Sequence, residues 1–143
     1  MMTTVRNIYG NVAIQGVDDE WPGPDVTARN AWDVSWTGLE YLDPPLSMNP
    51  VVFKWGGECR VEVNLDATVI TDSGTAELRG AARLYEGDSE DTSDLEEEEP
   101  IVLTLLKGRP TQHTVQLESQ GIGGGDRATI NMTFTNMQDE SDE

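Results

Sequence analysis

The residues with the most chemistry to offer are acids. Between Glu86 and Glu99 stand Glu86, Asp88, Glu90, Asp91, Asp94, Glu96, Glu97, Glu98 and Glu99, with no base among them. A run of like charges attracts a basic protein surface over a distance, and it also serves solubility. A smaller group, Asp18, Asp19, Glu20 and Asp25, lies in a segment stiffened by Pro22 and Pro24. Calcium takes oxygen ligands, so these four are the candidate metal ligands. Asp126, after a glycine-rich turn, is a further oxygen donor. No spacing here matches an EF-hand loop, and there is no Cys/His set for zinc. No cofactor other than calcium is expected.

Other chemistries are poorly provided for. A Ser–His or Cys–His nucleophile needs an imidazole base, and the chain has a single histidine, His113, and a single cysteine, Cys59. Paired carboxylates at about 5 to 9.5 Å can hydrolyse glycosides, but among 27 acids some pair always has that spacing. The segment Gly121-Ile122-Gly123-Gly124-Gly125-Asp126 lacks the Gly-Lys-Ser/Thr ending of a phosphate loop, and a strand pattern follows it. Asn131-Met132-Thr133 matches a glycosylation acceptor but falls inside a strand pattern. The chain is expected not to be an enzyme.

Four tryptophans remain. Trp32 and Trp36, with Val34 between them, share one strand face and are expected in the core. Trp21, in Glu-Trp-Pro-Gly-Pro, is the candidate exposed anchor for a partner.

Net charge narrows the partners. The chain carries 9 Lys and Arg against 27 Asp and Glu, a formal −18. Much of the excess is local. Without the acids of 86–99 and the tail acids Asp139, Glu140, Asp142 and Glu143, the remainder has 14 acids against nine bases. No two bases are adjacent. Nucleic acid needs a basic stripe, and an anionic membrane would repel this chain; neither is expected as a partner. One cysteine allows no internal disulfide and suits a reducing compartment. The first residues lack the apolar run of a signal peptide. Together these place the chain in the cytoplasm.

The elements that must position these groups read as strands. Cys59, Val61, Val63, Leu65, Ala67 and Val69 alternate with Arg60, Glu62, Asn64, Asp66 and Thr68, the period of two that marks a half-buried strand. After Asp72-Ser73-Gly74, a second run alternates Ala76, Leu78, Gly80, Ala82 and Leu84 with Glu77, Arg79, Ala81 and Arg83. Pairing residues whose numbers sum to 145 sets Val61 against Leu84, Val63 against Ala82 and Ala67 against Leu78. The wet face then sets Glu62 against Arg83, Asp66 against Arg79 and Arg60 against Tyr85. A slip of one residue would turn one strand inside out.

Alternation recurs over 8–15, 32–37, 51–55, 114–118 and 128–135, and 101–106 is continuously apolar. Turn chemistry separates the runs, as at Asp43-Pro44-Pro45 and Gly108-Arg109-Pro110. No segment has sustained helical spacing. The expected fold is all-β: a two-layer antiparallel β-sandwich, immunoglobulin-like or jelly-roll-like, of about eight strands. Residues 1–138 form one domain, interrupted by a mobile acidic loop at 86–99 and followed by an acidic tail at 139–143.

The function these features suggest is a non-catalytic interaction or regulatory module presenting its acidic loop to a basic protein surface. One alternative is a carbohydrate- or calcium-binding sandwich. Another is a structural subunit that assembles, as a homo-oligomer, through its sheet edges.

Overall fold

The computed structural model describes residues 5–18, 24, 26–119 and 125–139. Among the described residues nine strands follow one another: β1 (Arg6–Asp18), β2 (Val26–Leu39), β3 (Leu46–Ser47), β4 (Val51–Trp55), β5 (Cys59–Val69), β6 (Ala76–Glu86), β7 (Leu95–Leu105), β8 (Pro110–Glu118) and β9 (Arg127–Gln138). There is no helix among the described residues, so none is long and apolar enough to cross a membrane.

The strands form two antiparallel sheets, one ordered β2-β1-β9-β8 and the other β3-β5-β6-β7, with β4 also on β5. This is the sandwich that the period-two runs imply. The ninth strand is a matter of one edge. Leu46–Ser47 pairs with Ala67 and Asp66, and Val51–Trp55 pairs with Val63 to Cys59. Both pieces therefore line the same side of β5, separated by Met48-Asn49-Pro50. Proline has no N–H to give a ladder, and the edge breaks there.

The 59–86 hairpin has the expected register. Val61 faces Leu84, Val63 faces Ala82, Leu65 faces Gly80 and Ala67 faces Leu78. Its apolar face, with Ile101, Leu103 and Leu105 of β7, forms one wall of the core. The opposite wall is Ile8, Val12 and Ile14 of β1, Trp36 of β2, Val115 and Leu117 of β8, and Ile130, Met132 and Phe134 of β9. Trp36 packs edge-on against Phe134 with ring centroids 5.9 Å apart. Its Nε1 donates to Leu65 O at 3.3 Å, tying the two sheets together. Gly16 leaves the space that the Trp55 ring fills; a Cβ there would collide with the indole.

The acidic stretch is corrected in two ways. The sequence reads 86–99 as a mobile loop, but Glu86 is the last residue of β6 and Leu95–Glu99 belong to β7. Glu99, Glu98 and Glu97 stand opposite Ala82, Arg83 and Leu84. β7 is an edge strand, so its acids keep one flank in water while the backbone pairs with β6. Pro100, opposite Ala81, is tolerated for the same reason. Only 87–94 is loop, and it is tethered. Glu86 N donates to Asp94 O at 3.1 Å, Gly87 N to Glu58 O at 3.2 Å and Thr92 N to Ser89 O at 3.2 Å.

Antiparallel pairing sorts the connections onto two ends. At one end lie the links that follow Asp18, Trp55, Glu86 and Glu118. The other end holds the 70–75 turn, Val5, Asp139 and the two crossovers between sheets, 40–45 and 106–109.

Candidate functional site at the acidic end

Three side chains far apart in sequence meet inside the first end. Asp18 closes β1, Cys59 opens β5 and Asp126 immediately precedes β9. β1 and β9 are neighbours with Val17 opposite Arg127, which fixes Asp18 and Asp126 at the same level. Asp18 is 2% exposed, Cys59 is fully buried and Asp126 is 6% exposed. One ligand atom from each lies within 4.8 Å of the others. Gly56 roofs Asp18 at a φ of 65°; a Cβ there would run into the Asp18 carboxylate.

Glu86 completes the cluster. It faces Cys59 across the hairpin, and its carboxyl is pushed up to about 7. Burial is the largest cause, followed by a hydrogen bond with the Asp126 carboxyl. A bond from Ser119 works in the other direction, while the charge of Asp126 and a contact with Glu96 raise the value further. Ionising Glu86 sets its charge against that of Asp126, so the protonated form of Glu86 is favoured. The Cys59 thiol is pushed far up, first by burial and then by the charges of Asp126, Asp18, Glu86 and Glu58. It is a protonated thiol at neutral pH, not a nucleophile.

Around this interior the end presents a rim of acids. Lys54 Nζ pairs with Asp91 Oδ1 at 2.8 Å, which holds the Asp91 carboxyl below its usual range through that bond and the lysine charge. Gly57 N donates to Glu90 Oε2 at 3.1 Å, and Arg60 Nη1 to Glu90 O at 2.5 Å. Arg60 also pairs with Glu62 at 2.7 Å and lies 4.3 Å from the Tyr85 ring centroid. Arg83 pairs with Glu98, and Glu118 N donates to Glu97 Oε1 at 3.1 Å.

The residues expected to meet a partner are therefore split. Asp88, Asp91, Asp94, Glu98 and Glu99 are exposed, while Glu86, Glu90, Glu96 and Glu97 are half-buried, Glu86 beside the Cys59 cluster. Trp21 lies outside the described residues, as do Asp19, Glu20 and Asp25 from the expected metal group and the tail beyond Asp139. Asp18 is the described member of that metal group, and its neighbours are Cys59 and Asp126. Trp36 and Trp55 are buried and Trp32 half-buried, so none of these three offers a flat exposed platform. His113 lies in the first half of β8, which starts at the other end, while Cys59 opens β5 at this one.

Cys59 was not chosen as a ligand from the sequence, and Asp126 was noted there as an oxygen donor without being joined to Asp18. Their proximity follows from sheet order, which local periodicity does not carry. The pairing of Cys59 with Glu86, by contrast, is implied by the hairpin sum of 145.

No protein-family model, no curated protein and no solved structure matches the chain.

Proposed function

We propose that the chain is a non-catalytic interaction module, acting in a reducing cytoplasmic setting, whose acidic end meets a basic protein surface. One observation carries the reading. Asp88, Asp91, Asp94, Glu98 and Glu99 are exposed on one end, on a loop tied by hydrogen bonds and an edge strand tied by its ladder. Fixed charges of one sign steer encounter with a complementary partner. A tethered loop also loses little freedom on binding.

The test replaces those five acids by Ser and Asn and measures association with an oligolysine peptide, then capture of partners from the native cell. Association should slow by about tenfold or more at low salt, and its salt dependence should flatten. Unchanged rates at every ionic strength would remove the proposal.

A second reading rests on the interior cluster. Asp18 and Asp126 offer oxygens at one point, and with the thiol protonated the donor set there is hard, which suits calcium. Calcium in excess should raise the melting midpoint of the native chain and leave Asp18→Asn unmoved. Equal midpoints with calcium and with chelator would end it.

A further inference from the structure

The other end holds a buried cation that pairs with no anion among the described residues. Arg6, at the start of β1, is 4% exposed in a chain of net charge −18. Its Nε donates to Asn136 Oδ1 at 2.9 Å and its Nη2 to Asn136 O at 3.1 Å. Asn136, fully buried, spends its own amide on Gly74 O at 2.8 Å and Leu105 O at 2.9 Å. Both acceptors of Arg6 are thus neutral. Among the described residues neither Arg6 nor Lys107 forms an ion pair.

A guanidinium has five N–H donors, and Asn136 engages two of them. The side chain borders an open cavity of about 410 Å³, lined also by Ser73, Lys107, Gly108, Met137 and Gln138. Arg6 and Lys107 flank Gly74: a Cβ there would lie 3.2 Å from the Cδ of each. The two cations therefore stand side by side at the cavity, with Ser73, whose hydroxyl lies 3.0 Å from Thr71 Oγ1, also on its lining. Burial alone lowers the Arg6 pKa, with no carboxylate acting against it. A buried charge is normally paired, and here the partner is missing from the described chain.

We infer that this cavity is a carboxylate-binding site, in which Arg6 supplies the planar fork, Lys107 the second charge and Ser73 a hydroxyl donor. Guanidinium N–H pairs match the two oxygens of a carboxylate. The single charge of a carboxylate also meets less repulsion from this acidic chain than a phosphate dianion would. Two sources share that chemistry. Met137 and Gln138 line the cavity, so the chain's own Glu140, Asp142 and Glu143 follow directly from its rim; a separate acidic ligand is the other source.

The experiment follows the Arg6 Nε–H resonance by NMR while succinate is added, with inorganic phosphate as the comparison. It uses the full chain, the chain ending at Asp139, and Lys107→Ala in each. Lys107 is exposed, so its replacement leaves the Arg6–Asn136 network in place. The resonance should move saturably with succinate, and Lys107→Ala should weaken the apparent affinity by about tenfold. A response in the shortened chain alone assigns the tail as the native occupant; an equal response in both assigns a separate ligand. An Arg6 signal indifferent to succinate and to truncation overturns the inference. So does one that moves only with phosphate, moves without saturating, or is indifferent to Lys107.

Discussion

The two ends of the sandwich solve the problem of buried polarity in opposite ways. At the crossover end, Arg6, Asn136, Gly74 O, Leu105 O and Gly108 N match donors to acceptors around one asparagine, with Gly108 N donating to Asn136 O at 2.7 Å. At the acidic end, Asp18, Glu86 and Asp126 are acceptors unless protonated, and the Cys59 thiol is a weak donor. Burial and the neighbouring Asp126 raise the Glu86 carboxyl, so this end responds to its state of protonation. The difference teaches where each end gets its stability. Around Asn136 the main-chain groups find their partners within the chain, while at the acidic end the raised Glu86 carboxyl makes stability depend on pH. The same end that gathers carboxylates inside also carries the exposed acids offered to a partner.

The largest effect expected from this comparison is at Asn136. Asn136→Ala would strand Gly74 O and Leu105 O and leave the buried guanidinium only the main-chain oxygen of residue 136. Each unsatisfied buried group costs about 1–3 kcal/mol, so the loss in urea unfolding should reach about 3–4 kcal/mol, among the larger single-residue effects. Asn131→Ala, an exposed position on the same strand, should cost under about 0.5 kcal/mol. Similar losses at the two positions would show that the crossover end is not held by this network.

Glu86 probes the opposite end through pH. Its carboxyl is raised from 4.5 to about 7, so the folded chain binds that proton more tightly than the unfolded one. The contribution is complete below about pH 4.5 and is lost as pH rises through about 7, after which it is constant. Glu86→Gln keeps a hydrogen-bonding group and removes the ionisation. The other acids titrate in both proteins, so the difference between their stability curves isolates this one. Partial solvent screening reduces the effect to about 1 kcal/mol. The variant should gain that margin at pH 8 and little at pH 5, and Asn136→Ala should show no such slope. A difference independent of pH would mean that burial and Asp126 do not raise the Glu86 carboxyl.

How much of this was legible depended on whether the signal was local. The 59–86 register followed from alternation and a turn, since only one pairing keeps Val61, Val63 and Leu65 dry. The wet-face register held as well, with Glu62 opposite Arg83, Asp66 opposite Arg79 and Arg60 opposite Tyr85. The ion pairs differ from that register: Arg83 reaches Glu98 on β7, and Arg79 pairs with Glu77 at 3.2 Å along its own strand. The reason is that β7 extends four glutamates further than its apolar run suggests. Charge argues for loop in a sequence, yet an edge strand with one wet flank accepts it. Asp18, Cys59 and Asp126, like Arg6 and Asn136, are joined by the β5–β6 hairpin and by β1 lying beside β9. No short window of sequence contains that neighbourhood, and Asn136 lies one residue beyond the alternating run that ends at Thr135.

The smallest effect sharpens the claim that the rim acids are free to serve a partner. Arg83 and Glu98 are both partly open to solvent, at 33% and 45%. An ion pair of that exposure couples by about 0.3 kcal/mol and is screened by salt. A double-mutant cycle through Arg83→Ala and Glu98→Ala, read by urea unfolding, should return that value. In that case the ladder to β6, not the ion pair, holds Glu98 in place, and its charge can be spent on another surface. A coupling above about 1.5 kcal/mol would instead tie Glu98 to the fold. The acidic end would then be stabilised by its own pairs, as the crossover end is, and the contrast between the two would shrink to the interior carboxyls alone.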